Sequence, residues 1–207
     1  MILGLTGCPG SGKSVVARTL GGYGWRLIDV DSMGHEAVDG SASIQKALTE
    51  QFGGDIITPD GKTNRRLLAT RAFENPKLTD QLNRIVHPEL IASLRARIQS
   101  QRQKGELTAV DCALIFEWDM AHEFDFVICV QAELELRIER LVNRDGRSRA
   151  VIEGFMAAQL PQEEKVRRSD LVISNNSSIE RLETFAGLIS LLPNVLPGTA
   201  ARTIKQD

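Results

Sequence analysis

Three cysteines, one tyrosine and two tryptophans are few for a chain of 207 residues. Cys8, Cys112 and Cys129 are odd in number, scattered and without a C-x-x-C pair, which excludes a disulfide framework and a zinc ribbon. No apolar run approaches the roughly 18 residues of a membrane helix. No basic segment leads into an apolar one at the start, so no secretory signal is expected either. Charge of one sign is missing too. With 25 Lys and Arg against 27 Asp and Glu, the formal net charge is −2, and no global field draws nucleic acid or an anionic membrane. Internal repeats and low-complexity blocks are absent as well. These absences describe a reduced, cytoplasmic chain whose anion-binding surface, if it has one, must be made locally.

What is present is ordinary in amount and telling in order. Hydrophobic residues make up 42% and charged ones 25%, enough for a single α/β domain spanning about 1–192. Short apolar runs alternate with longer amphipathic ones, as strand–helix units around a doubly wound parallel sheet do. Strands are predicted at Ile2–Leu5, Arg26–Asp29, Leu107–Cys112, Phe126–Val130 and Leu171–Ser174. Helices are predicted at Ser14–Leu20 ending on Gly21-Gly22, at Ser43–Phe52, and at Arg65–Phe73 capped by Asn64. Another covers Glu133–Asn143, with Leu134, Ile138 and Leu141 turned inward. Pro76 and Pro88 each suit a first helical position, and Ser177 with Glu180 makes a capping box for the last helix. The stretch between the second and third strands holds helices and no evident strand. It reads as a helical insertion at about 36–104, between core segments 1–35 and 105–192. The tail 193–207 lacks periodicity and reads as flexible.

One short segment dominates the chemistry. Gly7 to Ser14 read GCPGSGKS, which fits G-x-x-x-x-G-K-S/T between a predicted strand and a predicted helix. Successive backbone N–H groups turned inward make a nest for an anion, and side chains on its inner turns would block it or forbid its dihedrals. The helix that follows offers its unpaired N–H groups and positive dipole end to the same anion. Gly10, Ser11, Gly12, Lys13, Ser14 and Val15 are therefore the candidate nucleotide-phosphate ligands. Lys13 adds a full charge beside the β- and γ-phosphates of ATP, and the Ser14 hydroxyl is the candidate Mg²⁺ ligand. Cys8, inside the loop, reads as a tolerated small side chain.

A phosphate loop alone suits a GTPase, a motor or a kinase. No N/T-K-x-D element follows a strand, so guanine specificity is not expected, and other features favour phosphoryl transfer to a small molecule. The segment LIDVD puts Asp29 and Asp31 at the end of the second predicted strand, where a carboxylate can take the proton of an attacking hydroxyl. Strand alternation sets both on one side, so spacing does not choose between them, and Asp31 suits a helix N-cap equally well. LRIERLVNRDGRSR carries Arg137, Arg140, Arg144, Arg147 and Arg149, a local basic surface whose planar forks match phosphate oxygens. Arg137 reads as a solvated partner of Glu133, Glu135 or Glu139, whereas Arg144 and Arg149, at the Asp-Gly turn, read as parts of a closing lid at about 140–150. TAVD, ending on Asp111, suits either a carboxylate beside the metal or a plain strand end.

Over nearly its whole length the chain resembles the dephospho-coenzyme A kinase family. GLTGCPGSGKS, LIDVDSMGHEAV, FGGDIITPDGKTNRRLL, LNRIVHPEL, VDCALIFE, RLVNRDGRSR and AAQLPQEEKVRRSDLVISNNSS occur in the family's order. The resemblance implies ATP-dependent phosphorylation of the ribose 3′-hydroxyl of dephospho-coenzyme A, on a P-loop sheet of about five parallel strands with a helical acceptor-binding insertion and a lid. It implies Asp31 as the base, with Lys13 and Arg140 completing the catalytic set, and Arg65, His87, Glu117 and Arg149 on the acceptor side. Arg144 and Asn175 are implied around the nucleotide, with Mg²⁺ and the small-molecule substrates ATP and dephospho-coenzyme A as partners, and neither nucleic acid nor membrane. Departures from the family pattern are Cys8-Pro9 in place of Gly-Ile, ALIFE in place of PLLFE, and Arg137 in place of a Gln. A kinase for another small acceptor such as a nucleoside monophosphate or shikimate, and a regulator that uses ATP as a switch, are the competing readings.

Overall fold

Five parallel strands in the order β2-β3-β1-β4-β5 form the scaffold of the computed structural model, which describes residues 1–146 and 148–195. They are β1 (Ile2–Thr6), β2 (Arg26–Asp29), β3 (Thr108–Asp111), β4 (Phe126–Gln131) and β5 (Leu171–Ser174). Around and between them run α1 (Lys13–Gly22), α2 (Val30–Gly40), α3 (Ala42–Phe52), α4 (Arg65–Ala72), α5 (Pro76–Lys104), α6 (Leu134–Asp145), α7 (Arg149–Ala157), α8 (Gln162–Arg168), α9 (Ile179–Ile189) and α10 (Leu192–Val195). Strands buried on both faces need continuous apolar runs rather than alternation. β1 and β3 meet that requirement: every residue of each is buried.

The chain divides into two compact units, Met1–Asp29 with the chain from Arg97 on, and Val30–Ala96. The first holds the whole sheet. Its core joins Leu3 and Leu5 of β1 to Val16 and Leu20 of α1 and to Leu182, Ala186 and Ile189 of α9. β1 is the central strand, and at its carboxyl end Leu5 lies beside Asp111, which in turn lies beside Asp29. Three strand ends thus converge where the phosphate loop leaves the sheet.

The second unit is helical and has its own core of Val38, Ile44, Leu48, Phe52, Ile56, Leu68, Ala72 and Val86. Its helix starts are set locally. Ser41 Oγ accepts from the Ile44 amide at 3.4 Å and Asn64 Oδ1 from the Leu67 amide at 3.1 Å.

Several local expectations are corrected. α1 does not stop at Gly21-Gly22 but runs through both. A Cβ on Gly21 would lie 3.0 Å from Leu27 Cδ1, so this glycine serves a close approach of β2 rather than a helix end. Pro88 lies inside α5 instead of opening a helix. A proline there costs about 3 kcal/mol, but Val86, Leu90, Leu94 and Ile98 continue one buried stripe past it, and packing outweighs the lost bond. The last helix is capped by Ser178, one residue later than expected. Leu134 is exposed at the head of α6, while Ile138 and Leu141 are buried as expected. Asp31 is not on a strand: β2 ends at Asp29 and Asp31 lies in the first turn of α2, so the alternation that put the two carboxylates on one side does not apply. Arg147 and residues 196–207 of the expected flexible tail lie outside the described residues; the tail's first residues, Pro193–Val195, are helical.

Candidate active site

Gly12, at φ 98°, is the N-cap of α1 and no side chain caps the helix, so the first amide groups of Lys13 and its neighbours point out of the helix end. A Cβ on Gly12 would sit 2.3 Å from Nδ2 of Asn175. That crowding has a structural cause: Asn175, 5% exposed, donates from Nδ2 to the Ser11 carbonyl at 2.8 Å and so braces the loop. Its own backbone carbonyl accepts from Nη2 of Arg140 at 3.0 Å, while Nη1 of Arg140 reaches the Gly10 carbonyl at 3.3 Å. The Ser11 and Gly10 carbonyls thus face these two side chains, while the Ser11 amide donates to the Cys8 carbonyl at 3.1 Å and tightens the loop. Gly12→Ala adds about 1–3 kcal/mol of backbone strain and collides with that brace. We expect ATP affinity to fall about tenfold and the melting temperature to drop, read by calorimetry and a thermal melt; an unchanged ATP affinity would mean that the tight loop is not needed.

Where the loop enters α1, the Lys13 ammonium pairs with Asp111, and Ser14 Oγ donates to Oδ2 of Asp111 at 2.9 Å. All three groups come from the ends of elements: Lys13 and Ser14 begin α1, and Asp111 ends β3. The Lys13 and Asp111 side chains are only 12% and 9% exposed, so their attraction is poorly screened. Cys8, the loop's other side chain of note, is buried, and burial pushes its thiol above the ordinary value despite the nearby Lys165 and Arg137 charges. It is not a reactive thiolate.

The arginines divide. Arg137, expected on a solvated face, is 6% exposed, a correction. Its backbone lies against Gly10, close enough that a Cβ there would meet the Arg137 carbonyl at 2.6 Å, so the approach of α6 to the loop carries the side chain inside. Arg149 donates to both oxygens of Glu135 at 2.8 and 2.7 Å and to Glu153 at 2.7 Å, and Arg144 pairs with Asp145. Its hydrogen bonds to Glu135, then to Glu153, push the Arg149 guanidinium further up. Glu135, expected beside Arg137, is thus a partner of Arg149, and Glu153 is an unexpected second one.

Glu117 is drawn into the interior, where its Oε1 accepts from the Leu160 amide at 2.9 Å and pairs with Lys165 at 2.7 Å. Asp31, Arg65 and His87 belong to the other unit. There Arg65, the first residue of α4, donates from Nη2 to Oδ2 of Asp39 at 2.5 Å. Burial works to raise the Asp39 carboxyl, but the hydrogen bonds from Arg65 and from the Thr63 amide win and hold it low. His87 lies in α5, where burial lowers its pKa and favours the neutral ring. Asp39 and Lys165 carry no signal of their own in the sequence: each looks like one more charge on an amphipathic helix.

A central parallel strand leading into a glycine loop, a helix-start lysine and hydroxyl, and a neighbouring strand-end carboxylate define the P-loop class. The model of one family within that class, dephospho-CoA kinase, matches residues 1–181. A dephospho-CoA kinase of Geobacter sulfurreducens is 37% identical over 183 residues, 88% of this chain and 93% of that one. The crystal structure of TT1252 from Thermus thermophilus superposes with a TM-score of 0.73 at 30% identity, covering 95% of this chain and 98% of that one. A dephospho-CoA kinase from Campylobacter jejuni shares the fold, with a TM-score of 0.66 at 20% identity over 95% of this chain and 98% of that one. The chain belongs to the dephospho-CoA kinase family.

Proposed function

We infer that this kinase transfers the γ-phosphoryl group of ATP to the 3′-hydroxyl of dephospho-coenzyme A, giving coenzyme A and ADP, the last step of coenzyme A synthesis. The observation that carries this reading is the family match over residues 1–181, joined to a complete phosphate loop whose lysine and hydroxyl meet a buried strand-end carboxylate. A bond forms between the 3′-oxygen and the γ-phosphorus as the bond to the β–γ bridging oxygen breaks. The hydroxyl proton goes to the Asp31 carboxylate, and the displaced oxygen leaves with ADP.

The loop amides and Lys13 bind the β- and γ-phosphates and neutralise charge as it moves to the bridging oxygen. Arg144 and Arg149 add positive charge from the α6–α7 turn once they exchange their carboxylate partners for phosphate oxygens, and Arg140 with Asn175 keeps the loop in shape. On the acceptor side, Arg65 and His87 join Asp31, and neutral His87 serves as a hydrogen-bonding group. In a family that acts on ATP, Mg²⁺ is the expected companion, and the donor set suits it. Ser14 Oγ and the Asp111 carboxylate are hard oxygen donors lying side by side, and no cluster of three or more His, Cys, Asp or Glu exists among the described residues, as fits an ion held mostly by substrate and water. Held by Ser14 and Asp111, the ion would supply Lewis-acid withdrawal of charge from the phosphate oxygens.

No helix among the described residues is long and apolar enough to cross a membrane; a cytoplasmic place accords with the reduced cysteines. The test is ADP release coupled to a reporter, with dephospho-coenzyme A beside adenosine monophosphate and shikimate. Turnover with dephospho-coenzyme A at least about a hundredfold above the others is expected. Equal or better turnover of another acceptor would overturn the reading.

A further inference from the structure

Lys165 is the largest fully buried side chain of the protein's described residues, with no exposed surface at all. A buried ammonium is costly unless each donor is used. Here three acceptors answer three N–H groups: the Ala113 carbonyl at 2.5 Å, Oε1 of Glu117 at 2.7 Å and Oε1 of Gln159 at 3.4 Å.

The position of Ala113 gives the pairing its meaning. It lies two residues after Asp111, on the chain that leaves β3, and its carbonyl takes a second hydrogen bond, from Oγ1 of Thr6 at 3.1 Å. Thr6 is the last residue of β1, directly before the glycine loop. One carbonyl thus joins the start of the loop, the exit of β3 and the interior of α8. Glu117 extends the same knot through the Leu160 amide, and the Leu160 carbonyl lies 3.9 Å from the Cys8 thiol inside the loop.

We propose that Lys165 is a positioning residue for phosphoryl transfer: by holding the Ala113 carbonyl and the Glu117 carboxylate, it sets the direction in which Asp111 meets Lys13 and Ser14. The proposal rests on the reading of Asp111 as the carboxylate of the nucleotide-Mg²⁺ site. A wrongly aimed carboxylate weakens the metal-dependent part of nucleotide binding and lowers turnover, while acceptor binding is untouched.

The test uses the full chain. Lys165→Met strands a buried carboxylate, so it is paired with the double variant Lys165→Met/Glu117→Gln, in which no charge is left unpaired. Thr6→Val, isosteric, removes only the other bond to Ala113. Measured are thermal melts, kcat and KM, and the affinity for a fluorescent ATP analogue with Mg²⁺ and with EDTA. The double variant should melt within a few degrees of the parent, yet lose about tenfold or more in kcat and in the Mg²⁺-dependent gain in affinity. KM for dephospho-coenzyme A stays put in Thr6→Val, which leaves Glu117 in place. Thr6→Val should shift the same two quantities about threefold. A folded double variant with parental turnover and a parental Mg²⁺ response overturns the proposal. Should the Lys165 variants fail to fold, a parental Mg²⁺ response in Thr6→Val overturns it equally. If the parent turns over another acceptor instead, the function reading falls, and the analogue-binding comparison still decides the role of Lys165.

Discussion

Lys13→Met is expected to cut kcat by about 10³ and to weaken ATP binding by about 10–100-fold. Two physical losses add. The transferring phosphoryl group loses a full positive charge in a site where water screens little, since the Lys13 side chain is only 12% exposed. Asp111, 8% exposed, also loses its ion-pair partner and is left with the Ser14 hydroxyl as its side-chain donor among the described residues, so a carboxylate remains in the site without its counter-charge. Breaking a buried pair from one side costs about 3–5 kcal/mol, and the melting temperature should fall with activity. Lys13→Met/Asp111→Asn separates the effects: it should recover most of the melting temperature and none of the turnover. Lys13→Arg should not rescue kcat, because a branched planar fork does not replace a slim ammonium at a helix start closed in by glycine turns. ATP affinity and turnover left intact in Lys13→Met would mean that the phosphates bind elsewhere.

Asp31→Asn is expected to lower kcat by about 10²–10⁴, the usual worth of a positioned base. ATP affinity should stay within about twofold of the parent, because the loop, Lys13, Ser14 and Asp111 all belong to the other unit. The amide keeps the shape of the carboxylate and removes its basicity, so KM for the acceptor should move little while kcat collapses. Asp31 lies in the first turn of α2, where the macrodipole favours negative charge. Asp29→Asn is the necessary companion. Asp29 ends β2 beside Asp111 in the sheet, and its loss should cost much less than that of Asp31. The reverse ranking would hand the base to Asp29, and near-normal turnover in both variants would remove a carboxylate base from the mechanism.

The choice between those two aspartates shows where reading the chain alone stops. LIDVD was legible as the end of a strand, but not the residue at which it becomes a helix. That boundary falls between Asp29 and Val30, and a one-residue change in register reverses the direction of a side chain on a strand. The arginine run shows the same limit. Five guanidiniums in one segment announce a basic surface, yet nothing local says that Arg137 goes inside, that Arg140 turns to the Gly10 carbonyl, or that Arg149 is held by Glu135 and Glu153. Those outcomes depend on how α6 packs against the loop.

By itself the amino-acid order determined the strand–helix alternation, all five strands to within a residue, and the phosphate loop. Those signals are short-range: apolar runs, glycines where backbone must turn, a lysine and a hydroxyl at a helix start. Only the tertiary structure decided the partner of Lys13, the brace under the loop from Asn175 and Arg140, the continuous α5 through Pro88, and the burial of Lys165. Each of these joins or depends on residues far apart in the chain. A charged side chain on a helix reads the same in sequence whether it meets water or a carbonyl behind the active site.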